Sequence, residues 1–211
     1  MIILNKHISL QQKVKISLDD IEKTINKNNV KFILPLLFWV KYKIKLIEKS
    51  EAKKQEIKEC KKQKRKPPSV LKCSRGEIWE AYLGYNIGSE QNGVNQKYSR
   101  PVLIIQNDIN NKKSPNTIIA PLSKIENRID KEKEISQEEL KNIKSKLRLT
   151  ESLLYKDDVK EGEEKLLHPS IVLLQNIREI NKERLDYKIT HIKDECWEEI
   201  NNAIKYSLGI D

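Results

Sequence analysis

The sequence predicts an α+β protein in which a small β-barrel or half-open sandwich, covered by one C-terminal helix, follows a helical N-terminal extension. Three observations lead to this fold class. Basic charge is concentrated in the first third of the chain, several short strand-like segments separated by turn formers follow Cys73, and an amphipathic segment precedes Gly209.

The division into two parts rests on charge. Residues 1–72 hold 19 Lys/Arg against 7 Asp/Glu, whereas residues 73–211 hold 22 against 24. We therefore predict a basic helical extension and linker over 1–70 and a barrel domain over 71–211. An extension of this kind either faces a polyanion or is a solvated, lysine-rich appendage.

Composition also excludes several classes of protein. Cys60, Cys73 and Cys196 are far apart and form no CxxC pair, which predicts a reducing compartment, the cytoplasm, and argues against a disulfide framework or a zinc site. The three histidines show no HxxxH spacing, so no metal site is predicted, although a site made of carboxylates alone stays open. No cofactor is predicted. The apolar run 32–40 is nine residues long, whereas a membrane span takes about 20. The N-terminus has no secretory signal pattern, and no membrane partner is predicted.

Two helices are predicted within the extension. Ser17 with Asp20 resembles an N-cap pair opening the first, although the alternation in "KVKIS" (13–17) is also compatible with a short strand. Pro35 suits the first turn of the second helix. That helix has an apolar stripe, which must be buried against something; its members are Leu36, Val40, Ile44 and Ile47.

Strand patterns begin after residue 73. "GEIWEAYL" (76–83) alternates apolar and polar residues, and "PVLIIQ" (101–106) predicts a short buried strand with proline at its first position. "NDINNKKSPN" (107–116) is rich in turn formers, and "TIIAPLS" (117–123) predicts the next strand.

The C-terminal half adds helices and strands. Ser136 and Glu139 form a capping box that opens a helix to about Lys146. "LRLTESLL" and "SIVLLQNIREI" predict further strands. Asp194 is a candidate N-cap for a last helix, which Gly209 ends.

Two polar residues at strand ends suggest a site. Arg100 stands at the entry of one predicted strand and Ser123 at the exit of the next, so an antiparallel pairing makes them neighbours. An arginine fork donates two parallel hydrogen bonds to phosphate oxygens, and a nearby hydroxyl adds a third donor. Metal-free RNA cleavage needs such donors. The alternative is a surface arginine paired to a glutamate beside a serine that merely ends a strand.

Three stretches together point to a family. "RGEIWEAYLGYNIGSEQNGV", "RPVLIIQNDINNKKSPNTIIAPLS" and "IVLLQNIREINKERLDYKITHI" closely resemble the MazF/PemK toxins of type II toxin–antitoxin systems, from Arg75 to about Gly209. The resemblance implies an SH3-like β-barrel of the PemK/CcdB type. It also implies a homodimeric, metal-independent mRNA interferase that cuts single-stranded RNA at short sequences. The products would carry a 2′,3′-cyclic phosphate and a 5′-hydroxyl. A cognate antitoxin would inhibit the enzyme by placing a disordered tail in the RNA groove.

The same resemblance assigns roles to individual residues. Arg100 matches the catalytic arginine, Ser123 falls where the family has a catalytic threonine, and Glu90 matches a loop glutamate that acts as base or as base-reading acceptor. The resemblance also implies RNA contacts from the loop and from a position where relatives often carry glutamine; these residues are Ser89, Gln91 and Asn176.

The chain departs from the family pattern in three places. "NQKYS" (95–99) intervenes before Arg100, adding Lys97 as an RNA contact and Tyr98, which either stacks on a base or pins its own loop. The segment 124–170 is longer than usual, and residues 1–70 have no counterpart in compact relatives. Two alternative functions stay open: a non-enzymatic barrel toxin that binds a protein target, as gyrase poisons of this fold do, and a decayed homologue that only binds RNA or antitoxin.

Overall fold

The computed structural model describes residues 9–25, 30–87, 90–93, 98–125, 136–164, 166 and 168–210. Twelve helices and strands follow one another within these residues, and they are numbered here in chain order. The elements are α1 (Leu10–Thr24), α2 (Val30–Lys62), β1 (Glu77–Tyr82), β2 (Ser99–Ile104), α3 (Asp108–Lys113), β3 (Asn116–Lys124), α4 (Gln137–Lys144), β4 (Glu151–Leu154), β5 (Ser170–Leu173), β6 (Arg178–Asn181), β7 (Leu185–His191) and α5 (Trp197–Leu208).

The first helix begins earlier than the sequence pattern predicts. Ser9 is its N-cap and forms a reciprocal capping box with Gln12, so the prediction that Ser17 opens the helix is wrong. The alternative of a strand over 13–17 is also wrong, since these residues lie inside α1. The Ser17 hydroxyl instead donates to the Lys13 carbonyl at 3.1 Å, one helical turn back.

The second helix also begins before its predicted start. It opens at Val30, so that Pro35 lies inside α2 rather than in its first turn. An interior proline lacks the N–H that would bond to the carbonyl four residues earlier, and its ring crowds that carbonyl. Its apolar stripe is not covered within this chain, because Leu36, Val40, Ile44 and Ile47 are 40–52% exposed. Its burial against a partner stays a prediction.

Seven antiparallel strands build the remainder of the fold. The strand order is β4-β5-β3-β2-β1-β7, and β6 pairs with the first half of β3. The five strands β7, β1, β2, β3 and β6 curl around one core, here called the barrel core, which includes Trp79, Val102, Ile104, Ile119 and Leu185. This architecture confirms the predicted SH3-like barrel.

A second core lies on the other face of the sheet. Ile78, Leu103 and Leu122 project there because successive side chains of a strand point to opposite faces. Helix α5 covers this face with Ile200 and Ala203, as predicted for the C-terminal helix. Gly209 ends α5 in the left-handed conformation, with φ of 63°.

Some predicted segments differ in detail. The turn-rich run 107–116 contains the short helix α3, capped by the Asn107 side chain. The single strand expected over 170–180 is split into β5 and β6 by a 3-10 turn. Helix α5 begins at Trp197, because Asp194 opens a preceding 3-10 turn instead of capping the helix.

The chain divides into two compact units, residues 1–42 and 43–211. The functional boundary near residue 70, drawn from composition, stays a prediction. Within the described ranges, every helix is too short or too polar to cross a bilayer.

Glu183 provides a pH-dependent link within the second unit. Its carboxylate forms ion pairs with Lys49 at 2.9 Å and Lys53 at 2.8 Å. Burial by itself would raise the pKa of Glu183, but the hydrogen bonds and charges of Lys53 and Lys49 outweigh it and hold the pKa below the ordinary value of 4.5. The C-terminal part of α2 is thereby attached to the turn between β6 and β7.

We expect Glu183→Gln to lower the free energy of unfolding by about 1 kcal/mol at neutral pH. A carboxyl whose pKa is lowered on folding contributes stability above its ordinary pKa, and that contribution disappears as the pH falls through the folded-state pKa. Urea unfolding of both proteins at about pH 7 and about pH 3 measures the effect. Glu161→Gln, at an exposed turn, is the control; a Glu183→Gln difference that persists at the lower pH would contradict the ion-pair account.

Candidate functional site

Arg100 and Ser123 lie at the same end of two paired strands. Strands β2 and β3 are antiparallel, with Val102 opposite Pro121 and Ile104 opposite Ile119. Extending this register by two residues places Arg100 opposite Ser123. Directly opposite residues share a face of the sheet, here the face of the barrel core, because Arg100 alternates in step with Val102 and Ile104.

The Arg100 guanidinium is held by two groups of the protein. Its Nη1 donates to the Leu122 carbonyl at 3.4 Å, the residue next to Ser123. The same nitrogen donates to the Gln91 side-chain oxygen. Both Arg100 and Ser123 are half-buried, so the pair remains reachable from solvent. The structure therefore brings the arginine to the polar loop and to the backbone that precedes Ser123.

Glu90 lies in the same loop as Gln91, but its charge acts on a different arginine, Arg178. It is exposed, and its charge raises the pKa of Arg178, opposing a larger lowering by burial. Gln91, the next residue, makes the side-chain contact with Arg100. Ser89 and Lys97, two of the predicted RNA contacts, lie outside the described residues.

Gly93, which precedes the "NQKYS" insertion, meets Tyr98 near the end of that insertion. Gly93 packs directly on the backbone of Tyr98, since a Cβ added to Gly93 would lie 1.8 Å from the Tyr98 carbonyl carbon. The Tyr98 carbonyl accepts hydrogen bonds from the amides of Leu83 at 3.1 Å and Gly84 at 3.0 Å. Gly84 in turn accepts from the Gly93 amide at 2.9 Å. Gln91 can therefore contact Arg100 although several residues separate them in sequence.

Tyr98 is fixed by this closure. Its φ of 56° is left-handed, a conformation uncommon for residues other than glycine. Its ring meets the edge of Tyr85, with centroids 6.3 Å apart. Tyr98 thus contacts its own loop, and the ring is half-buried.

Two arginines that the sequence analysis did not single out hold the base of the loop. Arg184 donates from Nε to the Tyr82 carbonyl at 2.7 Å and from Nη2 to the Leu83 carbonyl at 2.8 Å. Arg178 donates to the same Leu83 carbonyl at 3.2 Å. Burial, with a smaller effect from the like charge of Arg178, lowers the pKa of Arg184 to about 10.

Asn176 precedes Arg178 by two residues in the sequence. It ends the 3-10 turn between β5 and β6 and is half-buried. Arg178, two residues later, lies opposite Ile119 of β3. The backbone therefore carries Asn176 to the edge of the barrel from which Arg178 reaches the loop.

The opposite face of the same strands carries a separate cavity of about 590 Å³. Glu80, Pro101, Leu122, His168 and Tyr187 are among its lining residues, whereas Arg100 and Ser123 are not. Glu80 accepts a hydrogen bond from the buried Ser99 hydroxyl. One sheet therefore separates this cavity from the Arg100–Ser123 pair. Elsewhere in the described ranges, no three His, Cys, Asp or Glu side chains are grouped as metal ligands would be.

The fold and the site together define a small barrel protein with a half-buried arginine, suited to binding phosphate, at the end of a barrel strand. Residues 74–208 match the family described as "PemK-like, MazF-like toxin of type II toxin-antitoxin system". The chain belongs to this toxin family.

Two curated relatives are similar to about two thirds of this chain. The chain is 38% identical over 136 residues to "Endoribonuclease MazF" of Staphylococcus saprophyticus, covering 64% of this chain and 91% of that protein. It is 36% identical over 136 residues to "Endoribonuclease EndoA" of Bacillus subtilis, covering 64% and 94%. Among solved structures, "MazF (Form-I) from Deinococcus radiodurans" superimposes with a TM-score of 0.44 at 15% identity, covering 66% of this chain and 99% of that one.

Proposed function

We propose that this chain is a toxin endoribonuclease that cuts single-stranded mRNA in the cytoplasm and is neutralised by a cognate antitoxin. One observation carries the proposal: the Arg100 guanidinium donates both to the Leu122 carbonyl, next to Ser123 in sequence, and to the side-chain oxygen of the loop residue Gln91. Membership of a toxin family whose relatives are named endoribonucleases supports it.

The proposed reaction is an internal transfer at phosphorus. The ribose 2′-oxygen loses its proton and bonds to the adjacent phosphorus, the bond to the 5′-oxygen breaks, and that oxygen takes up a proton. The products are a 2′,3′-cyclic phosphate and a 5′-hydroxyl. No water is consumed in this step. Negative charge develops on the phosphoryl oxygens and protons move at two oxygens, so the protein must supply charge stabilisation and proton transfer.

The described side chains suit these tasks. Arg100 would donate its fork to the phosphoryl oxygens, in place of the present bond to Gln91, and Ser123 would add a hydroxyl donor from β3. Glu90, exposed at the loop end, would accept the 2′-hydroxyl proton or orient the ribose. Arg100 would also be near enough to return a proton to the 5′-oxygen.

RNA would be held by neighbouring polar groups. We propose that Gln91 and Asn176 contact bases or sugars, and that Tyr98 either stacks on a base or keeps the loop in place. Ser89 and Lys97 remain proposed RNA contacts. The active form would be a homodimer, with residues 71–211 as the nuclease barrel and residues 1–70 as an added extension.

Cleavage in the presence of excess EDTA tests the proposal. Purified protein is incubated with a long single-stranded RNA, and the fragments are resolved on a denaturing gel. Discrete fragments in EDTA are expected. Cleavage that occurs only when a divalent ion is added would refute the proposed mechanism, and binding without cleavage would indicate a decayed, RNA-binding homologue.

Ser123 gives a second test of the same site. Removing its hydroxyl in Ser123→Ala is expected to lower kcat/KM by about 10- to 100-fold, since one hydrogen bond to a charged group contributes about 1.5–3 kcal/mol. Ser123→Thr keeps the hydroxyl and is expected to retain most of the activity. Steady-state cleavage of a fluorogenic oligonucleotide measures both; equal loss in the two variants would indicate a packing defect rather than a lost donor.

A further inference from the structure

The first third of α2 exposes apolar side chains around much of its circumference, although Trp39 within it is buried. Within the segment Phe32–Val40, here called the apolar segment, six side chains are 40–54% exposed: Phe32, Leu34, Leu36, Leu37, Phe38 and Val40. At 100° per residue, these positions are distributed over most of the helix surface rather than along one stripe. A helix that is apolar on all sides belongs in a core or in lipid.

Charge around the apolar segment has a single sign. From Lys23 to Ile47 the sequence holds six lysines and no Asp or Glu. Lys31 precedes the segment and Lys41 follows it within the same helix. The Lys31 ammonium lies 4.8 Å from the centre of the Phe32 ring, which shows how closely the positive and apolar groups adjoin.

This combination selects among partners. A second copy of the helix would bring two acid-free, lysine-flanked surfaces together, and like charges oppose such an association. A protein groove covers one stripe of a helix, which would leave part of the apolar circumference in water. Single-stranded RNA would satisfy the lysines but offers little for aliphatic side chains such as Leu34, Leu36 and Leu37.

An anionic lipid surface satisfies both features. Acyl chains surround a helix without regard to its orientation, and acidic headgroups attract flanking lysines. The length of the segment limits how deeply it can enter the bilayer. Nine helical residues extend about 13 Å, whereas the hydrocarbon core is about 30 Å thick. The segment is therefore suited to the interface and too short to cross it. The sequence prediction of no membrane partner considered spanning alone.

We propose that the apolar segment of α2 binds the surface of anionic phospholipid membranes and so holds the toxin at the membrane while its barrel remains in water. This interaction is separate from the Arg100–Ser123 site. The two proposals can therefore fail independently. A protein that does not bind vesicles can still cleave RNA, and a protein that does not cleave RNA can still bind vesicles.

Vesicle co-sedimentation of the full chain tests the proposal. Binding to vesicles of phosphatidylcholine mixed with phosphatidylglycerol is expected to be at least about tenfold tighter than to phosphatidylcholine alone, and to weaken with added salt. The double variant Leu37→Ser/Phe38→Ser is expected to lower binding about tenfold or more. RNA cleavage by that variant should equal that of the wild type.

Matched controls separate the alternatives. Ile109 and Leu149 are 68% and 66% exposed on the barrel unit, and serine at both positions should leave vesicle binding unchanged. Lys31→Gln/Lys41→Gln should weaken binding to anionic vesicles while leaving the apolar segment intact. Equal vesicle binding by the wild type and the Leu37/Phe38 variant would overturn the proposal. An absence of vesicle binding by the wild type would also overturn it. In that case, dimerisation through the segment would be detected by light scattering, and a role in RNA binding would be detected as weaker RNA affinity of the lysine variant.

Discussion

Arg100→Ala is expected to lower kcat/KM for RNA cleavage by about 10³-fold or more, because removing even one preorganised donor to a developing oxyanion costs 10²–10³-fold and the guanidinium supplies two. Its present partners, the Gln91 side chain and the Leu122 carbonyl, show that the guanidinium is held in position before RNA binds. Cleavage of a fluorogenic oligonucleotide measures the loss. The thermal midpoint checks that the variant is folded.

Arg100→Lys is the matched control for charge. A lysine keeps one positive charge but cannot donate two parallel hydrogen bonds, so we expect activity far below wild type and only modestly above that of the alanine variant. Cleavage by Arg100→Ala within tenfold of wild type would contradict the assignment. Toxicity that survives in cells while cleavage is lost would instead support a non-enzymatic toxin that binds a protein target.

Gly93→Ala is expected to have the second largest effect. The added methyl carbon would lie 1.8 Å from the Tyr98 carbonyl carbon and 1.9 Å from its oxygen. Tyr98 cannot easily move, since its carbonyl holds the amides of Leu83 and Gly84. The loop must therefore shift and carry Gln91 away from Arg100. A displacement of about 1 Å near a reacting centre can cost about 100-fold in rate.

The measurement for Gly93→Ala combines activity with stability. We expect kcat/KM to fall by about 100-fold and the free energy of unfolding to fall by on the order of 2 kcal/mol. Gly162→Ala is the control, because nothing lies within 4 Å of an added Cβ there and only its left-handed φ of 82° is strained. Wild-type activity in Gly93→Ala would show that the closure of the loop does not position the site.

The neighbouring placement of Arg100 and Ser123 follows from short-range information. Their strands are adjacent in sequence, and the apolar runs 102–105 and 117–120 specify which residues face a core. Once the pairing is antiparallel, the entry of one strand must lie beside the exit of the next. The β2–β3 pairing could therefore be predicted without knowledge of the remaining strands, whereas the joint role of Arg100 and Ser123 stays a prediction.

Arg178 and Arg184 illustrate what such reasoning misses. They bond to Leu83 across 95 and 101 residues of chain, respectively. Those contacts depend on where β6 and β7 are placed, and the residue patterns gave no separate indication of β7. Their side chains carry no local signal beyond positive charge, which is abundant throughout the chain.

The predicted start of the first helix is wrong for a different reason. Ser9 with Gln12 and Ser17 with Asp20 both satisfy a pattern that favours N-caps. The earlier cap adds two helical turns, and the later serine is then accommodated by donating to the Lys13 carbonyl. When two N-cap patterns fit equally well, the one that opens the longer helix is used, because each added turn gains further backbone hydrogen bonds.

The chemistry of the cleaved ends tests the central claim most directly. RNA cut by the protein in EDTA is labelled with a polynucleotide kinase, with and without prior phosphatase treatment, and the labelled ends are mapped by sequencing. We predict 5′-hydroxyl ends that accept label without phosphatase, paired with 2′,3′-cyclic phosphates, at a short recurring sequence, all lost in Arg100→Ala. Fragments with 5′-phosphates, or equal cleavage by Arg100→Ala, would contradict the assignment of this site.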